Sequence, residues 1–208
     1  SDRTIRYYSP ETEVPFCGHA TIATGVLLGE ISGDGAYHLS TAAGEVPVAV
    51  TTEDGIRTAA LTSVEPSQTL ASDNLVADAL EALNWDITDL DPTITPMRAY
   101  AGAWHLVLAV TQAERLANLD YNFEALKDLM LRDGLITLQL IWRESADVFH
   151  ARNPFPVGGV VEDPATGAAA AALGGYLRAA DLVSAPTCPR QNGPFQEPHR
   201  AMRPQWDS

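Results

Sequence analysis

Two segments of this chain match each other closely enough to indicate a fold built from two similar halves. Residues 13–21 read Glu-Val-Pro-Phe-Cys-Gly-His-Ala-Thr, and residues 161–169 read Val-Glu-Asp-Pro-Ala-Thr-Gly-Ala-Ala. Each segment follows a short β-like run that ends near an arginine, Arg6 or Arg152, and passes a proline turn into a glycine-containing helix of small residues. A degenerate internal repeat of this kind predicts two similar lobes with a cleft between them.

The two helices that these segments open are expected to be buried, because both carry little polar surface. The start of a helix presents unpaired N–H groups and partial positive charge. Two such starts that meet in a cleft would bind an anion such as a carboxylate. His19 and Asp163 stand at the two helix starts and are natural candidates for carrying protons.

Each of these residues also has a purely structural interpretation. Gly18 could simply let a helix and a strand pack closely, and His19 could be a hydrogen-bonded core or capping histidine. An Asp-Pro pair at Asp163 is typical of an ordinary helix start, with Asp as the N-cap. The functional interpretation requires the helix to begin later, near Thr166 and Gly167, so that the carboxylate is free to face the cleft. Both interpretations remain open at this point.

The composition of the chain argues against several classes of function, among them nucleic-acid binding and membrane insertion. The 208 residues are 46% hydrophobic and 19% charged, as in a globular protein with a substantial core. The net charge of −14 argues against nucleic acid and anionic membranes as partners. The most apolar stretch, residues 165–177, is too short and too weakly hydrophobic to span a bilayer. No basic, apolar leader is present, so the predicted compartment is the cytoplasm.

Other chemistries lack their sequence signatures. Cys17 stands at a helix start, where a thiol can act as nucleophile or proton carrier, or it is a small buried hydrophobe. A two-thiol mechanism needs a second cysteine at the other helix start, whereas Cys188 lies beyond that helix.

His105, at a strand start, is a further candidate for the cleft wall. The histidines lack metal-ligand spacing, and neither a phosphate-binding glycine loop nor a nucleophile elbow occurs. No metal and no cofactor are therefore predicted.

The order of the predicted elements gives an α/β (α+β) fold class. A polar, proline-bearing segment at 86–96 is the predicted connection, which divides the chain into lobes 1–90 and 91–185 and an irregular tail, 186–208. The predicted strands cover residues 4–8, 36–42, 46–52, 56–64, 97–100, 104–110, 135–142 and 147–152. The predicted helices cover residues 18–29, a stretch capped by Ser72, 122–132 and 165–180.

The segments at 13–21 and 162–169 resemble the PhzF-like family of phenazine biosynthesis, and Ala-Arg-Asn-Pro-Phe-Pro at 151–156 adds to the match. The resemblance implies the fold of diaminopimelate epimerase, with two lobes that each wrap a curled, mostly antiparallel sheet around a central helix. It also implies a biosynthetic, cofactor-independent isomerase that moves a proton between carbons of a small, possibly cyclic or amino, carboxylic acid. A homodimer is a further expectation.

The resemblance assigns roles to individual residues. His19 and Asp163 would be the catalytic pair, and Ala168 replaces a serine common in the family, which would remove one hydrogen bond to the substrate. The family's general base is a glutamate in an upstream Ser-Glu-Thr segment, which this sequence does not contain. The chain is therefore expected to be truncated in its first lobe and to have little isomerase activity as it stands. The expected substrate-binding residues are Gly18, Thr166, Gly167 and Ala168.

Two other functions remain open. A catalytically inactive protein that keeps the anion cleft, and binds a small carboxylate or another protein, would account for Ala168 and for the absent glutamate. A two-cysteine amino-acid racemase or epimerase is opposed by the position of Cys188. The small-molecule partner expected in each enzymatic case is a carboxylate.

Overall fold

Two β-sheets, each packed against one central helix, form the frame of the molecule. The structure is a computed structural model, and it describes residues 3–183. The strands are β1 (Arg3–Thr4), β2 (Tyr7–Tyr8), β3 (Glu13–Val14), β4 (Gly35–Thr41), β5 (Gly44–Glu53), β6 (Ile56–Leu61), β7 (Ser67–Leu70), β8 (Met97–Tyr100), β9 (Trp104–Val110), β10 (Thr137–Arg143) and β11 (Phe149–Arg152). The helices are α1 (Gly18–Ser32), α2 (Asp73–Ala82), α3 (Ala113–Ala117), α4 (Phe123–Asp133) and α5 (Gly167–Ala179).

The first sheet has the strand order β1-β4-β5-β6, and β1 pairs parallel to β4 while the other pairs are antiparallel. In β5 the side chains of Val46, Val48 and Val50 are buried and the residues between them are exposed, the period of two that a strand imposes. The buried side of this sheet faces α1, which packs on β5 and β6. The short pair β2 and β3 lies just before α1 in sequence.

The second sheet has the order β11-β10-β9-β8-β7, and only β9 and β10 run parallel. It is covered on both faces. Leu106 and Leu108 of β9 pack with α2 and α4, whereas Val107 and Ala109 pack with α5. Because β9 is buried on both faces, its sequence is a continuous apolar run rather than an alternating one.

The change from one sheet to the other falls between Leu61 and Ser67, earlier than the predicted boundary after residue 90. Strand β7 pairs with β8, so it belongs to the second sheet. The segment at 86–96 joins α2 to β8 within this second half, and its prediction as the connection between lobes is wrong. Its polar residues form a capped 3-10 helix, Ile87–Asp89, and a surface loop. The predicted tail at 186–208 and Cys188 lie outside the described residues.

Helix α1 is not enclosed, contrary to expectation. Its residues Ile22, Leu27 and Ile31 are 40%, 53% and 67% exposed, because the described part of the chain packs against one face of the helix only. Helix α5 fits the expectation better, since most of its apolar residues are buried. No helix within residues 3–183 combines the length and the apolar character that crossing a membrane requires.

Candidate active site

The two glycine-containing helix starts lie next to each other. Helix α1 begins at Gly18 and helix α5 begins at Gly167. A Cβ atom added to Gly18 would lie 3.9 Å from the Cα atom of Gly167. The repeat predicts that the two glycines lie close across one cleft, each in the first turn of a central helix. Their closeness and their positions in the first turns are confirmed. The positive ends of the two helix dipoles meet at this point.

Neither of these helix starts is capped by a side chain. Cys17 and Thr166 occupy the N-cap positions of α1 and α5 in extended conformations, and neither side chain accepts a hydrogen bond from its helix. Among residues 3–183, no acceptor pairs with the N–H groups of residues 18–20 or 167–169. By contrast, Ser72 caps α2 and Asn122 caps α4, and both of those helices carry an acidic residue in the first turn. The N–H groups at the glycine pair are thus available to an anion.

Asp163 holds the turn that precedes α5. Because the helix begins at Gly167, Asp163 is not its N-cap residue, so the late helix start that a functional role requires is present. The carboxylate accepts hydrogen bonds from the N–H of Ala165 at 3.3 Å and from the hydroxyl of Thr166 at 2.7 Å. These bonds turn the Thr166 hydroxyl away from the cap position. They also occupy part of the carboxylate that was expected to face the cleft freely.

Hydrogen bonds of the buried Thr21 side chain anchor the first turn of α1. His19, its second residue, is exposed. Thr21 is fully buried, donates a hydrogen bond to the carbonyl of Cys17 at 2.8 Å and accepts one from the hydroxyl of Tyr7 at 2.6 Å. Burial raises the pKa of the Tyr7 phenol, so this group remains a donor. The anchor fixes the start of α1 while His19 stays accessible.

The start of α5 offers backbone rather than side-chain donors. Ala168 is 4% exposed and packs against the core of the first sheet, so it presents only its N–H group. Thr166 stands in α5 where Cys17 stands in α1. The described residues therefore hold one thiol at the paired helix starts, that of Cys17.

His105 lies in the core rather than on the cleft surface. It is fully buried, and its Nδ1 atom lies 2.8 Å from the Oγ1 atom of Thr137 on the neighbouring strand. Its Nε2 atom is buried without a partner among residues 3–183. Desolvation lowers the pKa of His105 to about 3, so the imidazole is neutral at pH 7. Sequence alone did not reveal this, because it does not show whether the side chain of a histidine near a strand start points into the core or toward the surface.

Comparison with known proteins defines the family. A family model described as phenazine biosynthesis-like protein, PhzC-PhzF, matches residues 1–192. The chain belongs to this family. An uncharacterised isomerase of Halalkalibacterium halodurans is 30% identical over 182 residues, which cover 83% of this chain and 60% of that protein. The trans-2,3-dihydro-3-hydroxyanthranilate isomerase of Pseudomonas aeruginosa is 30% identical over 179 residues, 85% of this chain and 60% of that protein. The PhzC-PhzF chain thus spans about 60% of the length of these relatives.

The fold is shared with solved structures. The structure of a predicted epimerase from Pseudomonas aeruginosa superimposes with a TM-score of 0.71 at 24% identity, covering 87% of this chain and 63% of that one. At this identity the likeness shows the fold alone, and it confirms the predicted epimerase-like architecture of this PhzC-PhzF chain. The roles assigned to the six site residues stay predictions.

Sequence reasoning missed two ion pairs of the PhzC-PhzF chain that flank the helix starts. Arg6 pairs with Glu13 before α1, and Arg152 pairs with Glu162 before α5. The signal was present, since both glutamates occupy the same position of the repeat and both arginines had marked the ends of the preceding strands. From sequence alone the arginines mark only the ends of strands, because a sequence does not show which charges pair.

Two cavities within residues 3–183 lie away from the glycine pair. One of about 500 Å³ lies between α2 and α4 and is mostly polar and acidic. The other, of about 220 Å³, lies beside Tyr121, Arg152 and Glu162. Neither cavity is lined by Gly18 or Gly167. Within residues 3–183, no group of three or more His, Cys, Asp or Glu side chains is arranged to hold a metal ion.

Proposed function

We propose that this chain carries the substrate-binding surface of a cofactor-independent isomerase that moves a proton between carbon atoms of a small carboxylic acid. The observation that carries the proposal is the meeting of two uncapped helix starts at Gly18 and Gly167. Several N–H donors and two dipoles converge there without a competing acidic side chain in either first turn. Such a surface favours a carboxylate, and each helix start contributes about 0.3–1 kcal/mol when exposed.

The proton-carrying groups of this proposal are His19 and Asp163. His19 is exposed in the first turn of α1, and histidine is the side chain that most often serves as a general acid or base. Asp163 lies in the turn before α5, where the hydroxyl of Thr166 orients its carboxylate. Gly18, Gly167 and Ala168 bind through the backbone in this proposal, and Thr166 acts through Asp163.

The name of one relative supports a substrate class for this proposal. One relative is named for an isomerase of a cyclic amino carboxylic acid, trans-2,3-dihydro-3-hydroxyanthranilate. A cyclic or amino carboxylic acid is accordingly the substrate class proposed for this chain. The cytoplasmic location and the homodimer remain predictions of the sequence.

A proline at the first helical position provides the sharpest binding test. Gly167→Pro removes one N–H donor, but proline suits the first residue of a helix, and Thr166 before it is already extended. We expect calorimetric titration with anthranilate, a planar amino carboxylate, to show affinity weakened by about tenfold, since a hydrogen bond to a charged group is lost. Asp73→Pro makes the same backbone change at the start of α2 and is the matched control. Equal affinities in the unaltered protein and the Gly167 variant would contradict the proposal.

A catalytically inactive carboxylate-binding protein is the second candidate. It is favoured by the two hydrogen bonds that already occupy Asp163 and by the absence of a side-chain donor at Ala168. Proton NMR in deuterated buffer separates the candidates, because an isomerase exchanges the substrate's carbon-bound hydrogen and a binding protein does not. Because the sequence predicts little isomerase activity for the chain as it stands, we expect any such exchange to be slow, and His19→Asn and Asp163→Asn should each reduce it further. Losing a positioned acid or base typically costs about 10²–10⁴-fold.

A further inference from the structure

The segments before the two helix starts carry the same ion pair. In the first half, Nε and Nη2 of Arg6 lie 2.8 and 2.5 Å from the two carboxylate oxygens of Glu13. In the second half, Nε of Arg152 lies 3.0 Å from Oε1 of Glu162, and Nη2 lies 2.6 Å from Oε2. Both are two-pronged pairs, which fix direction as well as distance. Each glutamate stands five residues before the glycine that starts the helix.

Each pair joins two antiparallel segments at the point where the chain turns toward its helix. Glu13 lies opposite Tyr8 in the pair of β2 and β3. Glu162 lies opposite Pro154 in an isolated bridge, and the N–H of Asp163 donates to the carbonyl of Asn153 next to it. The backbone that enters each helix is therefore held at matching places in the two halves.

We propose that Arg6–Glu13 and Arg152–Glu162 are positioning pairs, which hold the uncapped starts of α1 and α5 at the geometry that binds a carboxylate. This inference rests on the function proposed above. A capped helix carries its own end constraint, as α2 does through Ser72. Helices α1 and α5 leave their N–H groups for a ligand, so their ends are held from the preceding segment instead.

The pairing also sets the charge near the site. Both carboxylates would repel an incoming carboxylate if they stood alone, and the arginines neutralise them. The hydrogen bond from Arg6 holds the pKa of the Glu13 carboxyl below its usual value, so this carboxyl stays ionised and paired. A purely electrostatic role and a positioning role therefore make opposite predictions for Glu162→Gln. Removing the negative charge would strengthen carboxylate binding in the first case and weaken it in the second.

The second pair is expected to matter more than the first. The side chains of Arg152 and Glu162 are 31% and 25% exposed, against 63% and 35% for Arg6 and Glu13. Arg152 also donates through Nη1 to the carbonyls of Leu116 at 3.1 Å and of Ala117 at 3.0 Å, which ties the end of α3 to the same point. Exposed pairs contribute little, and partly buried ones with several partners contribute more.

The experiment compares Arg152→Gln and Glu162→Gln with the unaltered protein in two measurements. Hydrogen–deuterium exchange without ligand should be faster at residues 163–170 in both variants and unchanged in α2. Calorimetry should show anthranilate affinity reduced on the order of tenfold in both, because a small displacement of binding groups is costly. Arg132→Gln, which breaks ion pairs to Asp78 and Asp133 away from the site, is the matched control and should change neither measurement at α5.

The first pair allows a rescue test. Arg6→Glu alone should weaken anthranilate binding, and the double variant that adds Glu13→Arg should restore part of it, because the reversed pair can form across the same two segments. Tighter binding by Glu162→Gln, or unchanged exchange at residues 163–170 in both second-half variants, would overturn the positioning role. Failure of the unaltered protein to bind anthranilate, with the exchange differences still present, would overturn the proposed function alone.

Discussion

At the scale of single residues, the site depends on where one hydroxyl points. Thr166 occupies an N-cap position, where threonine usually accepts a hydrogen bond from its own helix. Here it donates to Asp163 instead, and the N–H groups of residues 167–169 find no acceptor among the described residues. An Asp-Pro pair three residues earlier would normally be taken as the helix start. The order of these residues thus delays the helix to Gly167 and opens its end to a ligand.

His105 predicts a pH dependence of stability. Its pKa is about 3 in the folded protein, against an ordinary value of 6.5, because burial disfavours the charged ring. The unfolded chain therefore binds the proton more readily between these values, so stability is full above about pH 6.5 and falls on acidification. The slope of the unfolding free energy should approach about 1.4 kcal/mol per pH unit in this window.

Urea unfolding between pH 7 and pH 5 measures this slope, above the range in which most carboxylates titrate. His105→Gln should flatten it, whereas His38→Gln, at an exposed position of β4, should not. An NMR titration of the folded protein supplies the independent check, since the His105 ring should stay neutral down to pH 5. Protonation of that ring near pH 6.5 would contradict the prediction.

At the scale of elements, glycines let α1 approach its sheet closely. A Cβ atom on Gly25 would lie 2.6 Å from Cγ1 of Val48, too close for any real side chain. A Cβ atom on Gly174 in α5 would meet its nearest atom, on Arg178, at 3.6 Å, which is an ordinary contact. Both glycines have helical backbone, but only Gly174 has room for a Cβ atom.

Gly25→Ala and Gly174→Ala should therefore change stability in opposite directions. Alanine is better than glycine inside a helix by about 0.8–1.0 kcal/mol. At Gly174 this gain should appear in the unfolding free energy, whereas at Gly25 overpacking should outweigh it and destabilise by roughly 1–3 kcal/mol. Urea denaturation of both variants gives the comparison. A Gly25 variant at least as stable as the parent would show that α1 can move away from β5 at no cost.

The elements also show how far sequence patterns reach. Strand β9 was predicted with its observed bounds, Trp104–Val110, because a long apolar run next to glycine has few other interpretations. Strand β7, Ser67–Leu70, was missed, since it is an edge strand with mostly exposed residues and no alternating pattern. The meeting of Gly18 and Gly167 was predictable because it follows from the repeat. The pairing of Arg152 with Glu162 was not, because it depends on tertiary contacts.

At the scale of the whole molecule, the two halves touch through a phenylalanine and a glycine. Phe16 belongs to the core of the first sheet, and Gly102 lies in the turn between β8 and β9 of the second. A Cβ atom on Gly102 would lie 3.2 Å from the Cβ atom of Phe16. Glu11, before β3, adds a second link through its ion pair with Lys127 of α4 at 2.6 Å. Phe16 precedes Gly18 by only two residues. We therefore expect the position of the start of α1 to depend on this contact with the second half.

Gly102→Ala should disturb this contact, and Gly55→Ala provides the matched control. Both glycines have positive φ, +93° and +78°, so both substitutions incur a similar backbone strain, about 1–2 kcal/mol. Gly55 lies in the turn between β5 and β6, where no atom of residues 3–183 lies within 4 Å of an added Cβ, whereas the Gly102 variant must also displace Phe16. The Gly102 variant should therefore be less stable than the Gly55 variant by about 1 kcal/mol or more, the cost of mild overpacking. It should also bind anthranilate more weakly, while the Gly55 variant binds like the parent. Equal stability and equal affinity of the two variants would mean that the contact between the halves does not govern the geometry of the glycine pair.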